Sequence, residues 1–282
     1  MSPSTELPLF PLRSVLCPGV ALPLHIFEER YRLMIGRCLE RSEPFGVVFV
    51  REGRDVGPLR GRIAEVGTTA AIRRAGRHPD GRLEILTVGE QRFHLDEVIA
   101  SPEPYLVGRV TLLEETVGPR AATRARAALV GRRFLRYLEL LQPIAADDGP
   151  EIEIEVEIEV DTAASSEPQA GPDQTWAAGP VDGAEPLVAE LDAADLTPEQ
   201  RHELLMTAAR RLTATDDPTA LSYVLTALVQ VDLAVRQQLL EVPDTFSRLQ
   251  RLEALLQRES WHLERSLRPI IIDPKRPRYR DN

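Results

Sequence analysis

The opening stretch LFPLRSVLCPGVALPLHIFEERYRLMI, residues 9–35, restricts the possible folds more than any other part of the chain. It holds two short apolar segments on either side of a turn at Pro18-Gly19, where glycine accepts the positive φ that tight turns need. Pro23 fits the edge or the start of a strand, because neither position needs its missing amide donor. The sequence therefore predicts two strands joined by a tight turn near the N-terminus.

An amphipathic helix follows from Glu28. Its apolar residues recur at helical spacing, and they are Tyr31, Met34, Ile35, Cys38 and Leu39. We expect Phe27 and Tyr31 to seat this helix against the strands. Because Cys38 lies within the apolar stripe, we predict a buried small hydrophobe there rather than a redox-active or nucleophilic thiol.

Four further segments are predicted to be strands: FGVVFV (45–50), EVGTTAAIRRAG (65–76), RLEILTVGEQRFHLDEVI (82–99) and YLVGRVTLL (105–113). Pro79-Asp80-Gly81 predicts a hairpin between the second and the third of these, since the three residues suit a tight turn. Gly89 interrupts the third segment and predicts a bulge or a sharp bend. Short strands with glycine bends at this spacing favour a closed or half-closed barrel.

A second helix is predicted over residues 119–141, with Pro119 near its first turn, where proline is tolerated. Its apolar stripe consists of Val130, Phe134, Tyr137, Leu138 and Leu141. Five arginines lie largely off this stripe, and they are Arg124, Arg126, Arg132, Arg133 and Arg136. They form either a phosphate-binding surface or, as such patterns more often do, a solvated face.

An acidic insert, residues 142–196, separates this helix from the rest of the chain. Between Gln142 and Gln200 there are sixteen acidic and no basic residues, and removing those charges changes the net charge from −10 to +6. Residues 151–160 (EIEIEVEIEV) alternate strictly, as a strand with one glutamate face would, and a linker-like composition follows. The glutamates either mask a basic surface of this protein or form a solvated edge that discourages aggregation.

Residues 197–268 are predicted to form several helices in a compact bundle, because short connections favour antiparallel neighbours. Thr197-Pro198 and Asp217-Pro218 are helix-start signals, in which a capping residue precedes a proline at the first helical position. Two apolar stripes are expected, Leu221, Val224, Leu225 and Leu228, then Leu249, Leu252, Leu256 and Leu263. Residues 269–282 form a basic tail, which does not by itself indicate a nucleic-acid partner.

Few of the residue patterns that enzymes use occur in this chain. Its single lysine, Lys275, lies outside any glycine-rich turn, which excludes a P-loop ATPase and argues against a Ser–Lys dyad. The five histidines lack the spacing of a metal-binding helix, and no G-x-S-x-G elbow occurs. We therefore predict a non-enzymatic function, with no catalytic residues, no metal and no cofactor.

The sequence also bears on the cellular compartment. No apolar run approaches the roughly 20 residues that span a bilayer, and the segment MSPSTELPLF does not resemble a secretory signal. Two cysteines without metal-like spacing suit a reducing compartment. We therefore expect a cytoplasmic protein with no membrane partner.

The opening stretch strongly resembles the N-terminal domain of Lon proteases, whose pattern is an apolar strand, a Pro-Gly turn, LPL-x-IFE-x-RY and a helix. EVGTTAAI, GEQRFHL, PYLVGRVTLLEE and RQQLLEVPDTFSRLQRLEALLQRE continue the resemblance in order, over about residues 6–141 and 197–262. The matching motif residues, mainly structural by this resemblance, are Pro18, Gly19, Pro23, Phe27, Glu28, Arg30, Tyr31, Gly67, Gly89, Arg92 and Phe93. The role of Arg30 stays open: it pairs with an acid such as Glu28 or Glu65, or it faces a ligand.

This resemblance implies an α+β fold: a PUA-like β-barrel with an embedded helix (1–118), a connecting helix (119–141) and a C-terminal α-helical bundle (197–268). It implies a non-catalytic, peptidase S16-related module that binds unfolded or misfolded polypeptide clients. Such a module would serve protein quality control, or act as a proteolysis adaptor for a separate ATP-dependent protease. The alternative is an RNA- or other nucleic-acid-binding PUA-like module, which a 5% aromatic content argues against.

Overall fold

The computed structural model describes residues 4–51, 62–141 and 198–266. The acidic insert, its alternating segment 151–160 and the basic tail lie outside these residues. The elements in chain order are β1 (Ser4–Leu12), β2 (Ala21–Ile26), α1 (Glu29–Arg41), β3 (Phe45–Phe49), β4 (Val66–Arg77), β5 (Leu83–Ile99), β6 (Leu106–Leu112), α2 (Arg120–Leu141), α3 (Pro198–Thr213), α4 (Pro218–Leu228), α5 (Leu233–Leu240) and α6 (Thr245–Ser266). The fold is mixed α+β, with one six-stranded sheet and several helices, which confirms the predicted class.

The strands pair in the order β2-β5-β4-β3-β1-β6, and β5 also pairs with β6. Five strands therefore form a closed cycle of pairings, and β2 is attached to β5 outside that cycle. The length of β5 makes this possible: Leu83–Val88 faces β2, while Phe93–Ile99 faces β6. Only the β1–β3 pair is parallel among the described strands.

The β4–β5 hairpin confirms the turn predicted from Pro79-Asp80-Gly81. Gly81 has a φ of 87°, and its amide donates to the carbonyl of His78 at 2.9 Å. The Asp80 carboxylate accepts the amide of Arg82 at 3.0 Å, as aspartate in a tight turn commonly does. The predicted irregularity at Gly89 is also confirmed, because Thr68 faces Arg92 whereas Ala70 faces Gly89, which leaves β5 with one extra residue between them.

Helix α1 packs on the sheet through Tyr31, Met34, Ile35 and Cys38, as the sequence predicts. The Tyr31 ring lies 4.4 Å from that of Phe10 on β1. Burial raises the pKa of the Cys38 thiol to about 11, which agrees with a small hydrophobe. The prediction for Leu39 is wrong: its side chain is 41% exposed, because it lies one position, about 100° around the helix, beyond Cys38.

Helices α2 to α6 share one apolar core, formed largely by Val130, Phe134, Tyr137, Leu221, Leu225, Leu249, Leu252 and Leu256. The Asp217-Pro218 start signal is confirmed, since the Asp217 side chain accepts the amide of Thr219 at 2.8 Å. The prediction for Leu228 is wrong. It is the last residue of α4, and its side chain is 47% exposed rather than packed in the core.

Three of the five arginines named on α2 contact α6, whereas Arg124 and Arg132 are exposed. Arg126 and Arg133 both pair with Glu253 of α6, and Arg136 pairs with Glu139 and Glu264. These ion pairs favour a structural, solvated face over the phosphate-binding surface that the sequence left open.

Candidate functional site

A three-stranded face formed by β4, β5 and β2 points away from the α1-covered core. The register sets its residues in three rows, Gly76–Glu84–His25, Arg74–Leu86–Pro23 and Ala71–Val88–Ala21. Alternation explains the face, since Leu22, Leu24 and Ile26 are buried while their odd-numbered neighbours on β2 are exposed. Leu86 and Val88 are half-buried, so the middle of the face is apolar and reachable. We call this surface the β2 face.

The outer edge of β2 is unpaired among the described strands. The carbonyl of Val20 accepts the amide of Gly89, and that of Leu22 accepts the Thr87 hydroxyl, so both point toward β5. Because backbone groups alternate in direction along a strand, Ala21, Pro23 and His25 point theirs toward the free edge. Pro23 therefore removes a donor from the free edge and none from the sheet, as edge prolines do.

Phe27 corrects a prediction made from the sequence. Its side chain is 57% exposed and does not seat α1 against the sheet; Tyr31 does. Phe27 directly follows Ile26, the last residue of β2, whose side chain faces the core. An exposed aromatic ring thus stands next to the end of β2.

Charged groups border this apolar strip. The carboxylate of Glu84 lies 3.3 Å from the His25 ring and 3.0 Å from the His78 ring. Arg73 pairs with Glu90 at 3.2 Å. Arg74 is exposed in the middle row and has no ion-pair or hydrogen-bond partner within residues 4–51, 62–141 and 198–266.

The Pro18-Gly19 turn is clasped against Gly89. The Gly19 amide donates to the Gly89 carbonyl at 2.8 Å, and the Gly89 amide donates to Val20 at 3.0 Å. A Cβ on Gly89 would lie 2.3 Å from the Cys17 carbonyl oxygen, so this close approach requires glycine. Gly19 itself has a φ of 75°. The clasp fixes where β2 begins.

Other motif residues lie inside the molecule or at its surface, away from the free edge. Phe93 is fully buried, and a Cβ on Gly67 would lie 2.4 Å from its ring, so Gly67 makes room for it. Arg30 pairs with Glu28 at 2.6 Å and covers the Tyr31 ring at 4.6 Å. Of the alternatives left open for Arg30, pairing with Glu28 is therefore the one present.

Arg92 joins the sheet to the helices. Its buried guanidinium donates to two carbonyls at the C-terminal end of α5. They belong to Leu240, the last residue of the helix, at 2.9 Å and to Val242 at 2.7 Å. It also pairs with Glu115 at 2.9 Å, whose other oxygen accepts from Arg248 at 3.1 Å. Long side chains thus satisfy helix-terminal carbonyls that lack partners within their own helix. Sequence reasoning placed Arg92 in a motif but could not foresee partners about 150 positions away.

Glu115 lies at the centre of this contact between the sheet and the helices. In addition to its ion pairs with Arg92 and Arg248, it accepts hydrogen bonds from the hydroxyls of Tyr223 and Thr245. Arg248 is fully buried and lies 3.9 Å above the Tyr223 ring. Burial raises the pKa of Tyr223, so its hydroxyl remains protonated and can donate. The arrangement is a polar network that fixes the two halves of the protein together.

An open cleft of about 530 Å³ lies beside this joint, lined by residues that include Pro18, Gln91, Glu115 and Tyr223. Its charged lining groups are engaged in the network, in the Glu90–Arg73 pair or, for Asp217, in capping α4. The nearby Cys17 thiol is buried, and burial raises its pKa to about 12, which keeps it un-ionised and poorly nucleophilic. These contacts favour a structural role for the cleft between the sheet and the helices over a catalytic one.

Residues 4–51, 62–141 and 198–266 contain no group of three or more His, Cys, Asp or Glu side chains arranged to hold a metal ion. No helix within them combines the length and hydropathy needed to cross a bilayer.

Comparison with known proteins identifies similarity to Lon proteases. The family described as "ATP-dependent protease La (LON) substrate-binding domain" matches residues 6–258. Lon protease of Parabacteroides distasonis is 35% identical over 111 residues, which are 39% of this chain and 13% of that protein. Lon protease of Porphyromonas gingivalis is 34% identical over 140 residues, 48% of this chain and 16% of that protein. The match thus spans less than a fifth of either relative.

A solved structure shares the fold. The N-terminal domain of the Mycobacterium avium complex Lon protease aligns with a TM-score of 0.53 at 17% identity, covering 90% of this chain and 98% of that one. The match is to the N-terminal portion of Lon, and none of these alignments extends to an ATPase or peptidase domain.

Proposed function

Because the chain belongs to the LON substrate-binding domain family, we propose that it binds extended, apolar polypeptide segments along β2. The observation that carries this is the exposed series Ala21, Pro23, His25 and Phe27 beside a free strand edge. Scattered exposed apolar residues are normal on a protein surface, but a contiguous apolar strip at an open edge, here Ala21, Pro23, Leu86 and Val88, is a recognised interaction feature. We assign the same strip as the contact surface for the client.

An extended segment would add to β2 as a further strand. The edge offers the amides of Ala21 and His25 and three carbonyls, so a client gains main-chain hydrogen bonds on both sides of Pro23. Alternate side chains of the client would contact Pro23, with Phe27 as the aromatic anchor. Proline at the centre limits the length of continuous pairing, which protects the edge from pairing with other copies of itself.

This mode of binding selects unfolded chains. A folded protein keeps its strands paired and its apolar side chains inside, whereas an unfolded or misfolded one exposes both. The module is non-catalytic in this proposal, and it presents clients to a separate ATP-dependent protease in cytoplasmic protein quality control. We also infer that the closed cycle of strands is the PUA-like barrel, and that helices α2 to α6 are the bundle.

The nucleic-acid alternative is not favoured. The β2 face carries the carboxylate of Glu84 next to its middle row, and the arginines Arg126, Arg133 and Arg136 on α2 are paired with carboxylates. An RNA-binding sheet of this kind would need aromatic platforms with uncompensated basic residues around them. Among the described residues, this face offers one such ring, Phe27, and one such arginine, Arg74, which is less than a series of stacking platforms requires.

The proposal is tested by comparing two exposed aromatic residues. Phe27→Ser removes the anchor, whereas Trp261→Ser removes a ring of similar exposure, 50%, from α6. A fluorescently labelled, reduced and alkylated protein serves as the unfolded client, and anisotropy gives its Kd. Losing an aromatic anchor costs about 1–3 kcal/mol, so Phe27→Ser should weaken binding about 5- to 150-fold.

Circular dichroism must show that both variants keep the wild-type unfolding midpoint, since both side chains are largely in solvent. If Phe27→Ser binds the client as tightly as wild type, or if Trp261→Ser loses as much affinity, the β2 face is not the binding surface. Equal affinity for the native form of the same client would contradict selection of unfolded chains.

A further inference from the structure

Arg74 holds an unusual place on the β2 face. It occupies the middle row, directly opposite Leu86, which in turn lies opposite Pro23. A client strand paired with the free edge of β2 would lie three strand spacings, about 14 Å, from the backbone of Arg74. An arginine can lay its apolar stem along the face and keep its charged end in solvent. Its guanidinium can therefore act electrostatically on a charged side chain of that client strand without touching it.

The charge of Arg74 is the one on this face that no carboxylate balances among the described residues. Arg73 next to it is paired with Glu90, and Arg82 at the hairpin is paired with Asp80. Glu84, the face's own carboxylate, is contacted by two histidine rings. It stands one row away from Arg74 and is not among its partners.

From this placement we infer that the β2 face prefers client segments in which an aspartate or glutamate accompanies the apolar residues, and that Arg74 is the specificity-determining residue. The inference rests on the proposed function and deepens it by naming the class of client. The physical basis is charge complementarity: an acidic side chain beside Pro23 would be attracted across the face by the unpaired guanidinium, whereas a lysine there would be repelled.

The magnitude follows from the exposure of the pair. Two exposed charges that do not touch interact weakly because water and salt screen them, so we expect the acidic peptide to bind about two-fold tighter than a neutral one. High salt should remove most of that difference and leave the apolar contribution in place.

The test uses a short fluorescent peptide that alternates valine with serine and carries a central guest residue, Asp, Asn or Lys. Wild type should bind the Asp form best and the Lys form worst. Arg74→Gln should make the three affinities equal, and Arg74→Glu should reverse their order. Arg124→Gln, which removes an exposed arginine from α2, is the matched control and should leave the order unchanged.

The outcomes separate the two proposals. If the Asn peptide binds and needs Phe27, yet Asp and Lys guests bind alike, the preference for acidic clients is overturned and the proposed function stands. A preference for Asp that persists in Arg74→Gln overturns the assignment to Arg74. If none of the three peptides binds, both proposals fall.

Discussion

Replacing Gly89 with alanine tests how the opening turn is held. In the native protein the Gly89 backbone exchanges two hydrogen bonds with the turn that precedes β2, at 2.8 and 3.0 Å. An added Cβ would lie 2.3 Å from the carbonyl oxygen of Cys17 and 3.1 Å from the side chain of Leu16. The nearest obstacle is backbone, which cannot rotate away as a side-chain end can.

The size of the effect can be worked out from these contacts. Ordinary contact begins at 3.4 Å, so the Cys17 carbonyl must retreat by roughly 1 Å. Such overpacking costs about 1–3 kcal/mol. The shift also strains two hydrogen bonds, each of which contributes about 1 kcal/mol. We therefore expect Gly89→Ala to lower the free energy of unfolding by about 2–4 kcal/mol, a large share of the usual 5–15 kcal/mol.

Urea unfolding followed by circular dichroism measures this change. Gly36→Ala is the matched control, because Gly36 lies inside α1 with nothing within 4 Å of its added Cβ. That variant should gain about 0.5–1 kcal/mol from higher helix propensity. The two alanines should therefore act in opposite directions. If Gly89→Ala is as stable as wild type, the clasp between the turn and β5 does not hold the protein together as described.

Glu115→Gln should lower the free energy of unfolding by about 2–4 kcal/mol, because Arg92 and Arg248 stay buried without their shared carboxylate; chemical denaturation checks this, and the exposed neighbour Glu114→Gln should change nothing. Asp217→Ala should cost about 1 kcal/mol through the lost cap of α4, with Asp216→Ala as its control in thermal unfolding. Burial raises the pKa of Cys17 from 9.0 to about 12, so its unfolded thiol ionises first and its contribution to stability, complete below pH 9, is lost as the pH rises toward 12. At pH 8 neither Cys17 nor Cys38 should react with a thiol reagent unless the protein unfolds, and rapid labelling of the folded protein would contradict their burial.

Local signals in the sequence predicted the local structure well. The period of Tyr31, Met34, Ile35 and Cys38 fixes the buried side of α1, and turn chemistry at Gly81 specifies the hairpin. In both cases the interactions that determine the structure join residues close in sequence, so the local sequence pattern is enough to predict it. The Asp217 cap belongs to the same class, since its partner is two residues away.

The candidate site depends on pairing between strands far apart in sequence, so it was harder to predict than the local structure. Phe27 is predicted to pack against the strands with α1, but it follows the end of β2 and its ring is exposed. The alternation of Leu22, Leu24 and Ile26 is visible in the sequence and favours an outward position for the residue after Ile26. No local pattern predicts the position of Arg74 on this face, because its neighbours Leu86 and Pro23 are known only once the pairing of β2 with β5 is known. The partners of Arg92 likewise depend on how the helices return to the sheet.

Hydrogen exchange measured by mass spectrometry with an unfolded client tests the central claim most directly. The amides of Ala21 and His25 face the free edge of β2 and should exchange quickly in the protein alone. If an extended client pairs with that edge, exchange across residues 21–27 should slow on addition of the client, while α6 should be unaffected. Unchanged exchange at residues 21–27, with protection on α6 or around the cleft at Tyr223 instead, would contradict the account.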